Sequence, residues 1–312
     1  MTQTAEAAPQ KQVRSKPLLK QEIGMILMHL VPLAAIWTGA TLFDWIVCIS
    51  LYFIRMFFVT GGYHRYFSHR SYKTSRPFQF FIAFMAETSA QKGVLWWAAH
   101  HRHHHKHSDT PEDPHSMKWY GFWYSHIGWI IGPDFKETNF GVIQDFAKHS
   151  EIRWIDKHYL VPPTLLAIVI FLVGGFVNGD GSFAQIFTQG WSSLLIGFFL
   201  STVLLYHGTF SINSIMHKFG KARYNTGDES KNSLVLALVT LGEGWHNNHH
   251  YYQVASRNGF FWWEIDITYY VLKTFSVLGL VWDLKGVPHH IKYSKTLAEA
   301  REKMRKEKEQ LG

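Results

Sequence analysis

The stretch GEGWHNNHHYY, residues 242–252, holds three histidines and two asparagines but no cysteine. If it turns helical, His246, His249 and His250 stand at i, i+3 and i+4 and share one face, so three imidazoles point the same way. HHRHHH at 100–105 repeats that spacing in His101, His104 and His105, while His100, His103 and His107 point elsewhere. HRYFSH supplies His64 and His69; five apart, they lie well off a common face of an ideal helix, so the helix is expected to end between them. His217 follows an apolar run, with Asn213 one turn earlier on the same face, where its amide can hold a water or orient a ligand. Any one of these histidines alone reads as a surface or hydrogen-bonded core residue. Two H-x-x-H-H clusters, an H-x4-H and a histidine after an apolar run together point to joint metal binding. Eight or nine neutral donors exceed the four that one tetrahedral zinc takes, so two metals fit. Imidazole suits iron, zinc, copper and nickel, and the all-nitrogen set differs from the carboxylate-rich di-iron sites of soluble bundles.

The elements that must position these rings are apolar. From Ile23 to Ile54 the only ionised residue is Asp44, and two further apolar runs extend from Tyr159 to Val177 and from Trp191 to Phe210. Each approaches the ~20 residues needed to cross a bilayer. A buried helix pair in a large soluble core is the alternative, but two such pairs with sparse charge, and 24 Phe, 14 Tyr and 13 Trp overall, favour membrane spans. Spans are expected at about 23–39, 43–63, 159–178 and 190–210, as two hairpins. No Lys or Arg falls between Lys20 and Arg55 or between Lys157 and Lys218, so both hairpin turns lie on the positive-poor side. Every histidine cluster and both termini then face the cytoplasm. The fold expected is an all-α membrane protein of four transmembrane helices, with a cytoplasmic helical cap that carries the histidines. Residues 21–294 make up that domain, between a disordered tail at 1–20 and a charged helix or tail at 295–312.

The net charge of +8 sits on the cytoplasmic side, where it suits anionic headgroups or an acidic partner protein. No nucleic-acid-binding motif is present. The single cysteine, Cys48, excludes an intramolecular disulfide framework and any cysteine-based zinc site. The polar N-terminus lacks the apolar core and small-residue cleavage site of a signal peptide.

The blocks GGYHRYFSHRSYK at 61–73, HRHHHKHSDTPEDPHS at 101–116, FWYSHIGWIIG at 122–132, TFSINSIMH at 209–217 and GEGWHNNHH at 242–250 resemble the membrane-bound fatty acyl-CoA desaturases. The likeness is to their Δ9, stearoyl-CoA desaturase-like branch, of bacterial type. It covers about Ile23 to Trp263, and the H-x4-H first box and the D-P-H after the second carry its specificity.

By that resemblance His64, His69, His101, His104, His105, His217, His246, His249 and His250 look like the nine ligands of two irons, with Asn213 completing one through a water. Asp109, Asp113, His115 and Glu243 fall where the family has polar residues near the boxes, placed to orient ligating imidazoles. The implied reaction is oxygen-dependent removal of two hydrogens from an unactivated acyl chain, giving a cis double bond while O2 is reduced to water. An enzyme of this architecture can also hydroxylate, the substrate can be an acyl-CoA, an acyl-lipid or an acyl carrier, and a histidine-rich membrane metal carrier is the non-enzymatic alternative. With no HPGG haem segment in the chain, the electrons are expected from a separate ferredoxin, rubredoxin or cytochrome b5-type protein. Trp96 and Trp97 are candidate tunnel walls, and Tyr52, Phe53 and Met56, about three turns before His64, candidate tunnel ends. The acyl-CoA enzymes carry Arg-Asp where this chain has Ala99-His100, so phosphate recognition is expected to fall to Lys73, Arg76 and Lys92 between the first two boxes. The resemblance implies an integral protein of the bacterial inner membrane.

Overall fold

The computed structural model describes residues 19–132 and 137–294. Of the two expected tails, 295–312 lies outside the described residues, as does 1–20 except for its last two positions, which open the first helix. The principal helices are α1 (Leu19–Leu30), α2 (Leu42–Ser68), α3 (Arg76–Glu87), α4 (Val94–His107), α5 (Val161–Asn178), α6 (Phe183–His217), α7 (Leu234–Val239), α8 (His246–Tyr251) and α9 (Ile267–Val277).

Three of these, α2, α5 and α6, are long and apolar enough to cross a membrane. The apolar run Ile23–Thr38, which α1 begins, is shorter. It bends through a 3-10 turn at Val31–Ala34 and stops at Gly39, whose φ of 71° suits glycine. At 1.5 Å per residue it reaches roughly 24 Å, less than a hydrocarbon core of about 30 Å. The helix α6 begins earlier and ends later than the apolar run alone suggests, because polar Gln185, Thr188, Ser211 and Asn213 continue it at either end.

The spans are tied by the few polar residues they contain. Asp44 and Thr41 form a reciprocal cap at the start of α2. The buried Asp44 carboxylate also accepts from Asn178 at the end of α5 (3.0 Å) and from Ser193 in α6, so one side chain joins three helices. Arg55, fully buried in α2, donates to Ser201 and Thr202 of α6 at 2.7 Å each. A charge at this depth is tolerated when it is hydrogen-bonded within the protein. Where α5 meets α6, a Cβ on Gly175 would stand 2.3 Å from the Ile186 carbonyl oxygen, so the two backbones touch.

Next to the spans, α3, α4 and α9 pack around a core that includes Met56, Phe57, Tyr63, Phe67 and Leu95. The buried start of α4 is capped by carboxyl groups: Asp156 accepts from the Leu95 and Trp96 N–H groups (2.8 and 3.2 Å), and Glu87 from Val94 (3.0 Å). Burial pushes Glu87 up to about 9. A two-stranded antiparallel ribbon, β1 (Lys73–Thr74) with β2 (Val281–Trp282), fastens the chain after α2 to the chain after α9. This ribbon departs from the all-helical expectation; two-residue strands leave no alternation to be read.

Candidate metal centre

Four helices and one helix end bring nine histidines together, in two groups. His64, His69, His101, His105 and His249 form the first, and His104, His217, His246 and His250 the second. Each H-x-x-H-H cluster is therefore split. In α4 the i, i+4 pair His101 and His105 joins the first group and His104 the second; in α8 the i, i+4 pair His246 and His250 joins the second and His249 the first. The three rings that share a helix face are thus divided between the two groups. A helical face some 100° wide meets two centres lying side by side.

His64 and His69 reach the same group because the last turns of α2, from Phe58 to Ser68, wind as a π-helix. That winding bonds residue i to i+5. The His69 N–H donates to the His64 carbonyl at 3.2 Å, and the rings sit 4.8 Å apart. The helix does end between the two residues, as expected, yet both rings face one side.

The donor set fits a metal. In the first group Nε2 atoms meet Nε2 atoms: His64 and His249 at 2.9 Å, His249 and His105 at 2.9 Å, His105 and His101 at 3.0 Å, His101 and His69 at 2.9 Å. In the second group His217 and His246 meet at 3.1 Å. Adjacent nitrogens on a five- or six-coordinate ion with bonds of about 2.1 Å stand about 3.0 Å apart, against about 3.4 Å on a tetrahedral one. Neutral rings carry one N–H each and cannot satisfy such a mesh by hydrogen bonding alone. The Nδ1 atoms of His105, His246 and His249 and Nε2 of His250 are buried without a hydrogen-bond partner. Burial and then the neighbouring rings hold His69, His101, His105, His246 and His249 well below the ordinary imidazole range, in the neutral form that binds metals. Burial lowers His250 to about 4.

Carboxylates stand behind the rings. His64 Nδ1 lies 2.7 Å from Glu243, His104 Nδ1 2.9 Å from Asp113, and His217 Nδ1 2.9 Å from Asp109. Such contacts turn Nε2 toward the centre and set the tautomer. His115 lies tilted against His104 with centroids 4.2 Å apart. Glu243 is held in turn by Arg65, which also binds Asp266 at 2.9 Å.

One such carboxylate was not anticipated from the sequence. Asp228, in the loop between α6 and α7, lies 2.6 Å from His250 Nδ1. No fixed spacing marks it; its one signal is the acidic pair in TGDES at 226–230. Asp228→Ala is expected to weaken metal binding by about 10–100-fold with the fold intact, as measured by competition with a chelator. Unchanged metal affinity would show that His250 is oriented by packing alone.

A cavity of about 190 Å³ adjoins the histidines. Met25 and Met28 of α1, Lys92, Trp96, Trp129 and Phe210 bound it, and it reaches His101. A smaller one of about 40 Å³ is bounded by Met56, Thr60, Ile212, His64, His104 and His246. Trp97, Thr209 and Asn213 line both. Tyr52 is buried beside Met56 at Gly208, and its hydroxyl donates to the Val239 carbonyl. Tyr52, Phe53, Lys73 and Arg76, four of the expected substrate contacts, line neither cavity. Phe53, one residue and therefore about 100° further round α2, is 43% exposed and lines neither cavity. Lys73 in β1 pairs with Asp283 at 2.7 Å, and Arg76 at the start of α3 pairs with Glu151 at 2.5 Å.

Residues 11–280 match the fatty acid desaturase family model. The chain is 35% identical over 249 residues to an acyl-CoA C20 Δ5-desaturase of Anemone leveillei, covering 78% of this chain and 74% of that one. It is 34% identical over 229 residues to an sn-1 stearoyl-lipid 9-desaturase of Anabaena variabilis, covering 73% and 78%. A hex-5-enoyl-[acyl-carrier protein] acetylenase of Moorena producens is 30% identical over 279 residues, covering 83% and 85%.

Proposed function

The chain belongs to the fatty acid desaturase family, and from that premise we propose that it is an oxygen-dependent acyl desaturase with a histidine-held di-iron centre. The observation that carries this reading is the convergence of nine histidines into two adjoining groups beside an apolar cavity. His64, His69, His101, His105 and His249 would hold one iron, and His104, His217, His246 and His250 the other, with Asn213 contributing through a water. Bound iron supplies the redox chemistry that removes two hydrogens from an unactivated chain, while O2 and two external electrons with two protons give water. The protein's own part is to position and to exclude water. Glu243, Asp113, Asp109 and Asp228 aim the imidazoles, Trp97 stacks on His101 (5.0 Å between centroids), and Gln91 bonds across to Thr209 at 3.0 Å, bracing the cavity wall.

The substrate in this reading is a saturated acyl-CoA, desaturated at Δ9, with Lys92 at the cavity and electrons from a separate ferredoxin, rubredoxin or cytochrome b5-type donor. Four spans place the histidines and both termini on the cytoplasmic face of a bacterial inner membrane, as the distribution of Lys and Arg supports. Residues 21–294 act as one desaturase domain between two charged tails. A second reading, an acyl-lipid substrate, is favoured by one observation: Lys73 and Arg76 are committed to surface ion pairs away from the cavity. A reconstituted assay offering stearoyl-CoA and a stearoyl phospholipid separately decides between them. Conversion of stearoyl-CoA is the expected result, and conversion of the phospholipid alone would replace the first reading by the second.

Chain length gives a further test. Tyr52→Ala enlarges the region beside Met56 and is expected to shift products toward longer chains, whereas Phe53→Ala leaves the profile as it was. Gas chromatography of the products measures both, and an unchanged Tyr52→Ala profile would move the end of the acyl site away from α2.

A further inference from the structure

The short helix α7 carries an apolar face with no partner in the fold. Leu234, Val235, Leu238 and Val239 are all exposed, Val235 by 70%, and no charged residue falls between Lys231 and Glu243. Four exposed aliphatic side chains on one short helix form a contiguous patch of the kind that marks contact with a partner or a membrane.

The place of α7 in the fold decides between these. The chain leaves α6 at His217, and an antiparallel bridge between Lys221 and Asn232 returns it just before α7 starts. From there α7 runs back along the spans. The Val239 carbonyl accepts from the Tyr52 hydroxyl of α2 at 2.9 Å, and a Cβ on Gly208 of α6 would stand 2.7 Å from that same hydroxyl oxygen. Gly208 precedes the end of α6 at His217 by nine residues, about 13 Å at 1.5 Å per residue. Tyr52 lies eight residues, about 12 Å, past Asp44, which joins Asn178 and Ser193 at the opposite end of the spans. A hydrocarbon core of about 30 Å measured from Asp44 ends near His64. Along either helix the end of α7 lies on the order of 10 Å inside that core. The ring of Phe53, exposed on α2, sits 5.1 Å from that of Tyr52, so the face of α7 continues an apolar surface of the span itself.

A segment that enters the bilayer without crossing it persists only where its backbone groups find partners within the protein. Around the turn that follows α7 they do. The Leu236 carbonyl accepts from the Thr240 N–H at 2.8 Å, that of Ala237 from the Gly242 N–H at 2.7 Å, that of Val239 from Tyr52, and that of Leu241 from the Thr268 N–H at 2.8 Å. Near the start of α7, where the chain is level with the end of α6, Lys218 and Lys221 are exposed beside Phe219. Cations at that level suit anionic lipid headgroups.

We propose that residues 233–242 form a re-entrant segment, in which α7 dips into the leaflet on the histidine side with Leu234, Val235, Leu238 and Val239 against lipid acyl chains and Lys218 and Lys221 at anionic headgroups. Thr240, on the inner side of the segment, lines the smaller cavity with Met56, Thr60 and His64. The segment thus stands between the leaflet and the histidines, and leads directly into α8. This assignment rests on the membrane spans and is independent of the reaction proposed above.

The test needs neither metal nor turnover. In the full-length protein in nanodiscs containing anionic lipid, with the buried Cys48 replaced by Ser, Leu238→Cys, Val235→Cys and Lys221→Cys are labelled separately with a membrane-impermeant maleimide. Leu238→Cys is expected to react about 100-fold more slowly than Lys221→Cys, the penalty of ionising a group within hydrocarbon, with Val235→Cys between them. Bimane attached at Leu238→Cys with a permeant reagent separates lipid from protein packing: chain-labelled doxyl lipid should quench its emission and aqueous iodide should not. Labelling of Leu238→Cys as fast as that of Lys221→Cys, or bimane emission that doxyl lipid leaves unquenched, would overturn the re-entrant segment while leaving the desaturase reading untouched.

Discussion

Replacing any one of His101, His105, His246 or His250 by Ala is expected to lower turnover by more than about 100-fold and to reduce bound iron. Residues that merely orient a metal ligand typically cost 10–100-fold, and these four rings stand one layer further in. His103→Ala is the control. It lies in the same run of histidines but on the outer side of α4, with Nε2 at 2.9 Å from the Glu112 carbonyl, and belongs to neither group. Its activity and iron content should match the wild type. If His103→Ala were as damaged as His101→Ala, the register of the whole α4 cluster would be wrong.

Arg65→Met is expected to destabilise the fold by about 3–5 kcal/mol, because it leaves two buried carboxylates without their shared partner. The Arg65 guanidinium is 1% exposed; it binds Glu243 and Asp266 at 2.9 Å each and donates to the Ser256 carbonyl at 2.8 Å. Among the described residues no other lysine or arginine forms an ion pair with either carboxylate. The damage also reaches the centre, since Glu243 lies 2.7 Å from His64. Thermal unfolding in detergent reads the first effect and iron retention the second. A melting temperature within a degree of the wild type would mean that water or another cation replaces the guanidinium.

Much of the site could be read from spacing, and what could not has physical causes. The two H-x-x-H-H clusters identify the ring-bearing faces because i, i+3 and i+4 neighbour each other on any α-helix. Their division between two groups depends on where α4 and α8 meet, a tertiary fact. His64 and His69 share a side only because α2 changes its winding before the boxes, and the sequence around Gly61 and Gly62 carries no rule that announces a π-helix. Asp228 acts from a loop, where periodicity is silent. Tyr52 and Phe53 looked equivalent as neighbours, yet one helical step turns the second outward. Three helices long enough to cross a membrane were legible from apolar length, and of these α6 departs most from the expected 190–210, running from Phe183 to His217 because polar Gln185, Thr188, Ser211 and Asn213 continue it at either end.

If these histidines serve oxygen-dependent desaturation, expression in a desaturase-deficient host gives membrane lipids in which mass spectrometry finds new monounsaturated acyl chains, with a cis double bond at Δ9, that form only in oxygen and disappear in His101→Ala. A host supplied with iron and electron donor that gained no unsaturated chains, or that gained hydroxylated chains instead, would contradict the desaturase reading.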